Sequence, residues 1–328
     1  MHNHSKACEI SLITPMYNES ASIGNNIELV IKALEALGVT WEYILVDDGS
    51  RDDSLKKAQE VMDDNPSCRI IHYDKNRGRG YALKQGFAAA RGKYVIATES
   101  DLTWGAEIIG ALYNGLKDSK KDMIIASVNL SGGGLENVPF YRTVLSRCGN
   151  WVMRWAFGRN LTMLSGMTRG YRNEAIKSLY LEENGKEIHL EIVSKAQALG
   201  YDIGEIPATI RWEKKDDRSK KRGGLRILHS IIPHIMVSLH VGSVKLLIWA
   251  AVSTGVLGAI TLVAGILNKF YIIHPMPYLV TYGLILVTLA MLFGLFGLIS
   301  IQLGFVYRSM THIQSELKQC QIEKNNIR

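Results

Sequence analysis

Acidic and polar side chains follow several predicted strands of this sequence, each group at the point where a strand should end. The groups are Tyr17-Asn18-Glu19, Asp47-Asp48, Lys75-Asn76 and Glu99-Ser100-Asp101. Carboxylates accept hydrogen bonds from a base or a ribose, and Mg²⁺ or Mn²⁺ binds jointly to one or two carboxylates and substrate phosphates. The pattern predicts a site for a nucleotide diphosphate, with a divalent metal at Glu99 and Asp101. In a simpler interpretation, Asp101 only caps the next helix.

Short apolar runs alternate with helical patterns in the first part of the chain. Strands are predicted at residues 10–14, 43–46, 69–72, 94–98 and 123–127, and helices at about 21–37, 53–62 and 80–90. This alternation is typical of βαβ units and a mainly parallel sheet. Ligands of open α/β sheets bind at the carboxyl edge of the strands, where the polar groups collect. We therefore expect an α/β domain over residues 1–210.

Two stretches near the end of the chain carry no Asp, Glu, Lys or Arg, over residues 246–268 and 278–307. A membrane helix needs about 20 such residues. We expect a transmembrane hairpin at 245–307 and a tail at 308–328. Lys and Arg crowd both outer flanks of the hairpin, whereas the link between its helices carries only Lys269. The positive-inside rule then predicts an integral membrane protein whose catalytic domain and termini are cytoplasmic.

A basic segment joins the two parts. Residues 211–226 contain eight Lys or Arg against three acidic residues, and residues 225–241 have apolar side chains at helical spacing. We interpret residues 211–244 as a basic juxtamembrane segment with amphipathic helices lying in the membrane interface. The positive charges either attract anionic headgroups or only fix the topology.

Two other classes of site are disfavoured. The third glycine of a dinucleotide fingerprint is missing after Gly78-Arg79-Gly80 because Leu83 occupies its place, which argues against a dehydrogenase. The four cysteines are scattered without metal-ligand spacing and are most simply free thiols. No nucleic-acid partner is expected.

The motifs taken together resemble the family-2 glycosyltransferases with the GT-A fold, over roughly residues 9–220. Three segments and the acidic triplet carry this resemblance, in matching order: Ile13-Thr14-Pro15-Met16-Tyr17-Asn18-Glu19, Leu45-Val46-Asp47-Asp48-Gly49-Ser50, Asn76-Arg77-Gly78-Arg79-Gly80-Tyr81-Ala82-Leu83 and Glu99-Ser100-Asp101. Four further segments are similar to the dolichyl-phosphate mannose synthase and polyprenyl-phosphate glycosyltransferase branch: Arg142-Thr143-Val144-Leu145-Ser146, Ser165-Gly166-Met167, Glu205-Ile206-Pro207 and Arg218-Ser219-Lys220.

This resemblance implies roles for individual residues. The implied donor-binding residues are Pro15, Tyr17, Asn18, Glu19, Asp47, Asp48, Gly49, Lys75, Gly78, Lys84, Ser100 and Asp101. Arg142 and Ser146 would hold the acceptor phosphate, and the implied catalytic residues are Asp101, Arg142, Arg218 and Lys220. The metal, Mg²⁺ or Mn²⁺, would bind Glu99 and Asp101.

The sequence departs from the family pattern at four places. The usual Asp-x-Asp becomes Glu99-Ser100-Asp101, and Thr103 stands where a third metal ligand is often Gln. Thr162 takes the place of an Asp before Ser165-Gly166-Met167, and Ser127-Val128-Asn129 lacks an expected basic residue. These departures concern the metal and the identity of the sugar more than the fold.

The resemblance implies inverting transfer of one sugar from a donor of the GDP-mannose or UDP-glucose type to a polyprenyl or dolichyl phosphate. A phosphate monoester is already anionic, so it attacks without a strong general base. The implied partners are the donor, the lipid phosphate and the membrane, while homo-oligomerisation stays open.

Two alternatives remain. A processive polysaccharide synthase would carry a Gln-x-x-Arg-Trp motif, and here Ala208 takes the Gln position before Arg211-Trp212. A catalytically silent binding protein on the same fold is supported by Glu99 and Thr103.

Overall fold

The computed structural model describes residues 7–138, 161–164, 166–211, 246–268 and 277–327. The predicted interfacial helices lie outside these residues, as do nine residues of the segments that carry the resemblance: 142–146, 165 and 218–220.

The predicted mainly parallel sheet is confirmed. Seven strands pair in the order β3-β2-β1-β4-β7-β5-β8, and β7 is antiparallel to both of its neighbours. The strands are β1 (Ile10–Met16), β2 (Trp41–Asp47), β3 (Cys68–His72), β4 (Tyr94–Ala97), β5 (Met123–Ser127), β7 (Arg169–Arg172) and β8 (Ile203–Pro207). The order turns at β1, since β2 and β3 lie on one side of it and β4 on the other. Such a switch point creates a crevice at the carboxyl edge.

Helices cover the faces of the sheet. They are α1 (Ile23–Glu35), α2 (Ser54–Met62), α3 (Arg79–Ala89), α4 (Ile108–Asp118), α5 (Asn173–Ser178) and α6 (Ile188–Ala198). In α1 the side chains of Ile23, Ile27, Val30 and Leu34 recur every three or four residues and are buried, as expected for a helix with one core-facing stripe. The core is therefore continuous from the helices through both faces of the central strands.

Strand β1 runs two residues beyond its predicted end. It continues through Pro15 to Met16, and it pairs with β2 as far as Met16 opposite Asp47. Its pairing with β4 ends at Ile13 opposite Ala97. The missing N–H of Pro15 faces that unpaired side, so the proline removes no bond from the ladder.

A second, two-stranded sheet lies outside the main one. Strands β6 (Gly134–Glu136) and β9 (Thr209–Arg211) pair in parallel, with Glu136 opposite Arg211. The backbone N–H of Arg211 donates to the carbonyl of Thr103 at 2.8 Å. The small sheet is thereby fixed to the loop that follows the acidic triplet.

Two helices are long and apolar enough to cross a membrane, α7 (Leu246–Asn268) and α8 (Pro277–Ile327). They pack closely through glycines. A Cβ on Gly258 would lie 3.0 Å from the backbone nitrogen of Val287, and one on Gly283 would lie 2.8 Å from that of Leu262. The predicted hairpin is therefore a packed pair whose outer side chains are mostly exposed.

The region predicted as a tail after residue 307 continues the second helix. With 51 residues, α8 is about 75 Å long, far more than a hydrocarbon core of about 30 Å. Its distal part reaches the α/β domain, where Lys318 Nζ donates to the carbonyl of Leu179 at 2.5 Å. Thr311 and Ser315 on the same face are buried. The distal part of α8 thus packs against α5 and α6.

Candidate active site

The loop after β1 is hydrogen-bonded to the segment that leads into α2. The N–H of Asn18 donates to Ser50 Oγ at 3.0 Å, and the N–H of Glu19 donates to Ser54 Oγ at 2.7 Å. Asn18 has a φ of 54°, a left-handed conformation that asparagine tolerates. These bonds leave the ring of Tyr17 exposed at the crevice. Sequence reasoning singled out Tyr17, Asn18 and Glu19 but did not predict that Ser50 and Ser54 position their loop.

Asp52 completes this support. Its carboxylate accepts hydrogen bonds from the N–H of Ser20 at 3.2 Å and from the N–H of Ser54 at 3.0 Å. Slight burial raises the pKa of the Asp52 carboxyl, but the hydrogen bonds from Ser54 and Ser20 outweigh it and lower the pKa to about 2. The carboxylate therefore ties the two loops together as an anion.

The acidic pair after β2 is buried and internally bonded. Asp47 contacts His72 Nδ1 at 2.8 Å and accepts from the N–H of Ser50 at 3.1 Å. Asp48 accepts from the backbone N–H groups of Arg77 and Gly78, at 2.8 and 3.0 Å. Both carboxylates shape the loops around the crevice, and their predicted contact with a donor remains a prediction.

Gly49 brings two of the predicted groups together. It has a φ of 70°, and a Cβ there would lie 2.7 Å from the backbone nitrogen of Asn76. The loop carrying Lys75 therefore passes directly over the turn after Asp48. Only glycine allows this approach.

Gly78, Gly80 and Lys84 have partners within the chain. A Cβ on Gly78 would lie 2.4 Å from the carbonyl oxygen of Asn184, which also accepts from the N–H of Gly80 at 2.8 Å. Lys84 Nζ donates to the carbonyl of Glu182 at 2.8 Å. Because these two glycines have no side chain, the 182–185 loop packs directly against the start of α3. Donor binding by Gly78 and Lys84 stays a prediction.

The first member of the acidic triplet is already engaged. Glu99 accepts from Thr103 Oγ1 at 3.2 Å and lies 3.7 Å from Arg79 Nη1. Partial burial raises the pKa of the Glu99 carboxyl and Asp101 adds to the rise, whereas Arg79 and Thr103 oppose it. Glu99 is therefore already engaged by a cation and a hydroxyl of its own chain.

Asp101 is exposed and has a lighter set of contacts. It accepts from the N–H of Thr103 at 3.2 Å, which leaves carboxylate lone pairs for a ligand. The carbonyl of Ser100 accepts from Asn26 Nδ2 at 2.7 Å, which fixes the triplet to α1. Leu102 follows with a φ of 48°, an unusual conformation for a branched side chain. Asp101 borders a cavity of about 280 Å³ between α1 and this turn.

The donor set fits a divalent cation only in part. Within the described residues no group of three or more His, Cys, Asp or Glu could hold a metal. The exposed carboxylate of Asp101 fits as a protein ligand, because Mg²⁺ and Mn²⁺ accept one carboxylate together with substrate phosphates. Glu99 fits less well, since Arg79 already lies beside it.

Two of the departures from the family pattern touch each other. The hydroxyls of Ser127 and Thr162 are 2.6 Å apart, and Asn129 Nδ2 donates to the carbonyl of Thr162 at 2.9 Å. A neutral hydroxyl pair thus stands where the resemblance implied charged residues. Thr162 therefore presents a hydroxyl at the position where the family pattern has an Asp.

The predicted acceptor-phosphate residues Arg142 and Ser146 lie outside the described residues, as do the predicted catalytic residues Arg218 and Lys220. The segments that carry them begin at Glu136 and Arg211, which face each other in the small sheet. Arg211 also pairs with Glu107 at 2.9 Å and with Glu136 at 3.4 Å. Both segments therefore start beside the Asp101 turn.

Comparison with known proteins agrees with this geometry. Residues 11–180, more than half of the chain, match the model of glycosyl transferase family 2. The chain belongs to that family. The matched range spans β1 to the start of the 179–185 connection and so contains every described group of the crevice.

Named relatives of this glycosyltransferase include enzymes of lipid-linked sugars. It is 30% identical over 204 residues to the dolichol-phosphate mannosyltransferase of Pyrococcus furiosus, covering 61% of this chain and 56% of that protein. It is 29% identical over 177 residues to the dodecaprenyl-phosphate galacturonate synthase of Rhizobium johnstonii, covering 54% and 51%. The matched region spans about half the length of these two relatives.

Solved structures confirm the GT-A fold. Glucosyl-3-phosphoglycerate synthase of Mycobacterium tuberculosis, in complex with Mn²⁺, UDP and phosphoglyceric acid, matches with a TM-score of 0.54 at 19% identity. The match covers 71% of this chain and 77% of the other. A second structure of that enzyme, with Mg²⁺ and UDP, has a TM-score of 0.52. At such low identity the likeness speaks to the fold alone.

Proposed function

We propose that this glycosyltransferase moves a single sugar, with inversion, from a nucleotide-diphosphate donor of the GDP-mannose or UDP-glucose type to a polyprenyl phosphate. One observation carries the proposal: a family 2 domain is docked on the helix of a membrane-length hairpin, through Lys318 and Leu179. That joint keeps the crevice close to the bilayer. The two relatives whose names include dolichol phosphate and dodecaprenyl phosphate support the same acceptor class.

The donor would lie along the crevice at the carboxyl edge of β1, β2 and β4. Tyr17 is exposed there and offers a ring face to the base. Lys75 and Asp101 are also exposed, and they lie on loops that approach the edge from either side. The internally bonded Asp47 and Asp48 would act chiefly by keeping these loops in place.

A divalent metal would be held by Asp101 and the diphosphate of the donor. When bound, it supplies Lewis-acid stabilisation of the charge on the departing diphosphate. Arg79, beside Glu99, adds a fixed positive charge on the same side of the crevice. The chain's own contribution is to position the donor and to balance its charge.

A phosphate acceptor needs little acid–base help from the protein. An alcohol acceptor needs a general base to remove its proton, whereas a phosphate monoester attacks as an anion. Arg142 and Ser146, on the segment beyond β6, would hold the phosphate, and Arg218 and Lys220 would close over it.

The domain limits and topology belong to the proposal. The catalytic domain would span residues 1–210, the interfacial segment 211–244 and the membrane hairpin 245–307, with α8 continuing beyond it. The charged residues that follow Tyr307 would place the distal part of α8 and the catalytic domain on the cytoplasmic side.

A product assay tests the proposal. Purified full-length protein is incubated with Mg²⁺ or Mn²⁺, a polyprenyl phosphate and a panel of radiolabelled nucleotide sugars, and the lipid phase is extracted. We expect label from one donor to enter the lipid as a single sugar, and none to enter when the free polyprenol replaces its phosphate. A labelled polymer would instead favour a processive synthase. Absence of label in every arm would favour a silent binding protein and overturn the proposal.

A further inference from the structure

Arg169 is a fully buried cation at the start of β7. Its guanidinium donates to three backbone carbonyls, those of Gly166, Leu164 and His189, with Nε to Gly166 at 2.6 Å and Nη1 to His189 at 2.8 Å. Two of these carbonyls belong to the connection described at residues 161–164 and 166–168, which we call the β7 approach. A buried charge persists only where its hydrogen bonds are satisfied.

Glu205 on β8 binds the same connection through an anionic side chain, which accepts hydrogen bonds from backbone N–H groups. Its carboxylate accepts from the N–H of Thr162, at 2.8 and 2.9 Å, and from the N–H of Met163 at 2.7 Å. The carboxylate of Glu205 thus binds the first N–H groups of the β7 approach, and the guanidinium of Arg169 binds its later carbonyls. Hydrogen bonds to charged groups are stronger than neutral ones, so this connection is held more firmly than an ordinary loop.

The β7 approach lies at the edge where the chemistry is proposed to occur. Arg169 stands opposite Ala97 of β4 and opposite Ile125 of β5. The carbonyl of Thr168 accepts from the N–H of Ala126. Since β7 is antiparallel, the residues before it pass between the ends of β4 and β5. Their neighbours there are the strand end that leads to Glu99 and Asp101, and the Ser127–Thr162 pair.

We propose that Arg169 and Glu205 are positioning residues that fix the β7 approach as the acceptor-side wall of the transfer site. This inference rests on the proposed function. The two charges act through the backbone, so they set where the attacking oxygen lies relative to the donor without touching either substrate. A displacement of about 1 Å in such a wall can cost roughly 100-fold in rate.

The chain provides a matched control on the same strand. Arg172 lies three residues after Arg169 and also donates to backbone carbonyls, those of Lys121 at 3.0 Å and Ser119 at 3.0 Å. Its partners belong to the opposite edge of the sheet, before β5. Lysine in either place keeps the charge but loses the planar fork that reaches several carbonyls. The two substitutions therefore disturb similar contacts at opposite edges.

The experiment compares Arg169→Lys, Glu205→Gln and Arg172→Lys in the full-length protein. Nucleotide diphosphate affinity with Mn²⁺, sugar transfer to polyprenyl phosphate, and donor hydrolysis to water are each measured. We expect Arg169→Lys and Glu205→Gln to lower kcat of transfer roughly 100-fold, with nucleotide affinity within about twofold of wild type. Attack by water on the donor does not depend on how the β7 approach is positioned. The ratio of donor hydrolysis to sugar transfer should therefore rise. Arg172→Lys should keep both kcat and that ratio.

The outcomes separate the two proposals. If wild type transfers no sugar to the lipid phosphate, the proposed function fails. If wild type transfers sugar but Arg169→Lys and Glu205→Gln behave like Arg172→Lys, only the positioning role is wrong. Should Arg169→Lys fail to fold, Glu205→Gln decides alone, and an unchanged hydrolysis-to-transfer ratio in that variant overturns the inference.

Discussion

The phenol of Tyr73 donates a hydrogen bond to Asp48 Oδ1, with the two oxygens 2.8 Å apart. The same carboxylate accepts from the N–H groups of Arg77 and Gly78. Three donors from the loop after β3 therefore converge on one buried side chain at the end of β2. Burial, the hydrogen bond and the charge of Asp48 all raise the pKa of the Tyr73 phenol. The phenol of Tyr73 therefore keeps its proton, and this proton binds the loop beside the proposed donor site to Asp48.

Tyr73→Phe removes one of these three bonds. We expect a loss of about 1 kcal/mol in the free energy of unfolding and a several-fold rise in the KM for the donor, with kcat nearly unchanged, because the loop still forms but is held less firmly. Tyr201→Phe is the matched control, since its hydroxyl bonds to Ser178 away from the crevice. A similar rise in donor KM in both variants would refute the local role of Tyr73.

Gly80→Ala tests the seating of the 182–185 loop. A Cβ at Gly80 would lie 2.6 Å from the carbonyl oxygen of Glu183 and 2.8 Å from the carbonyl carbon of Asn184, both backbone atoms. The loop must move away, so we expect lower thermal stability and weaker donor binding. Gly110→Ala in α4 meets only the end of the Leu37 side chain at 3.2 Å and should be neutral or slightly stabilising. Equal effects of the two substitutions would contradict this interpretation.

Asp101→Asn removes the carboxylate that fits a metal. We expect a fall of roughly 100-fold or more in kcat, because charge on the leaving diphosphate loses its stabilisation, with no loss of thermal stability. A chelator should inactivate wild type, and added Mg²⁺ or Mn²⁺ should restore it. The exposed Asp118→Asn, at the end of α4, serves as the control. Undiminished turnover in Asp101→Asn would rule out the proposed role.

Asp52 gives a pH dependence with a defined sign. Its pKa is about 2 in the folded protein, against a reference value of 3.8, so the folded state binds the proton more weakly than the unfolded state. The carboxylate therefore stabilises the fold above pH 3.8, and this contribution disappears as the pH falls toward 2. Because Asp52 is largely exposed, screening limits the contribution to roughly 0.5 kcal/mol.

Thermal unfolding of wild type and Asp52→Asn between pH 7 and pH 2.5 measures this contribution. The difference between the two proteins should be constant down to about pH 4 and then shrink. Asp53→Asn, at a helix cap without a side-chain hydrogen bond, should match wild type at every pH. A difference that grows on acidification would show the opposite linkage.

Gly283→Ala probes the packing of the hairpin. A Cβ there would lie 2.6 Å from the side chain of Leu262 and 2.8 Å from its backbone nitrogen, so α7 and α8 must separate. We expect a destabilisation of about 1–3 kcal/mol, measured by unfolding in mild detergent. Among the described residues none lies within 4 Å of a Cβ placed on Gly294, so Gly294→Ala should leave the hairpin unchanged. Equal destabilisation by both would mean that the close approach at Gly283 is unimportant.

Patterns of short range predicted most of the architecture. The strand at residues 123–127 agrees with β5, because its five buried residues follow one another along the chain. The hairpin helices were predicted from the length of their charge-free stretches alone. By contrast, the end of β1 was placed too early, since the effect of Pro15 depends on where its missing N–H points. The sequence predicts a tail after residue 307, because the charged residues there end the apolar stretch. Nothing in that pattern indicates the surface of the α/β domain that α8 contacts.

Local motifs placed acidic and basic groups at the right edge of the sheet, but they did not decide which of those groups are free. Asp48 and Asp101 look alike in the sequence. Folding brings residues 73–78 onto Asp48, whereas among the described residues Asp101 accepts a hydrogen bond from the N–H of Thr103 alone. Sequence reasoning also noted Glu205 only as part of a motif and overlooked Arg169, because β7 reads Arg-Gly-Tyr-Arg and shows no apolar run that would mark it as a buried strand.

By itself the sequence determined an α/β domain with a polar crevice at the strand ends and two membrane-length helices, because side-chain periodicity and length are local properties. Only the tertiary structure decided that the N–H of Gly80 bonds to the carbonyl of Asn184 and that Lys318 bonds to the carbonyl of Leu179. It also decided that Arg169 and Glu205 bind the same connection before β7. These contacts join residues far apart in the chain, and their geometry exists only once the sheet and its helices have packed.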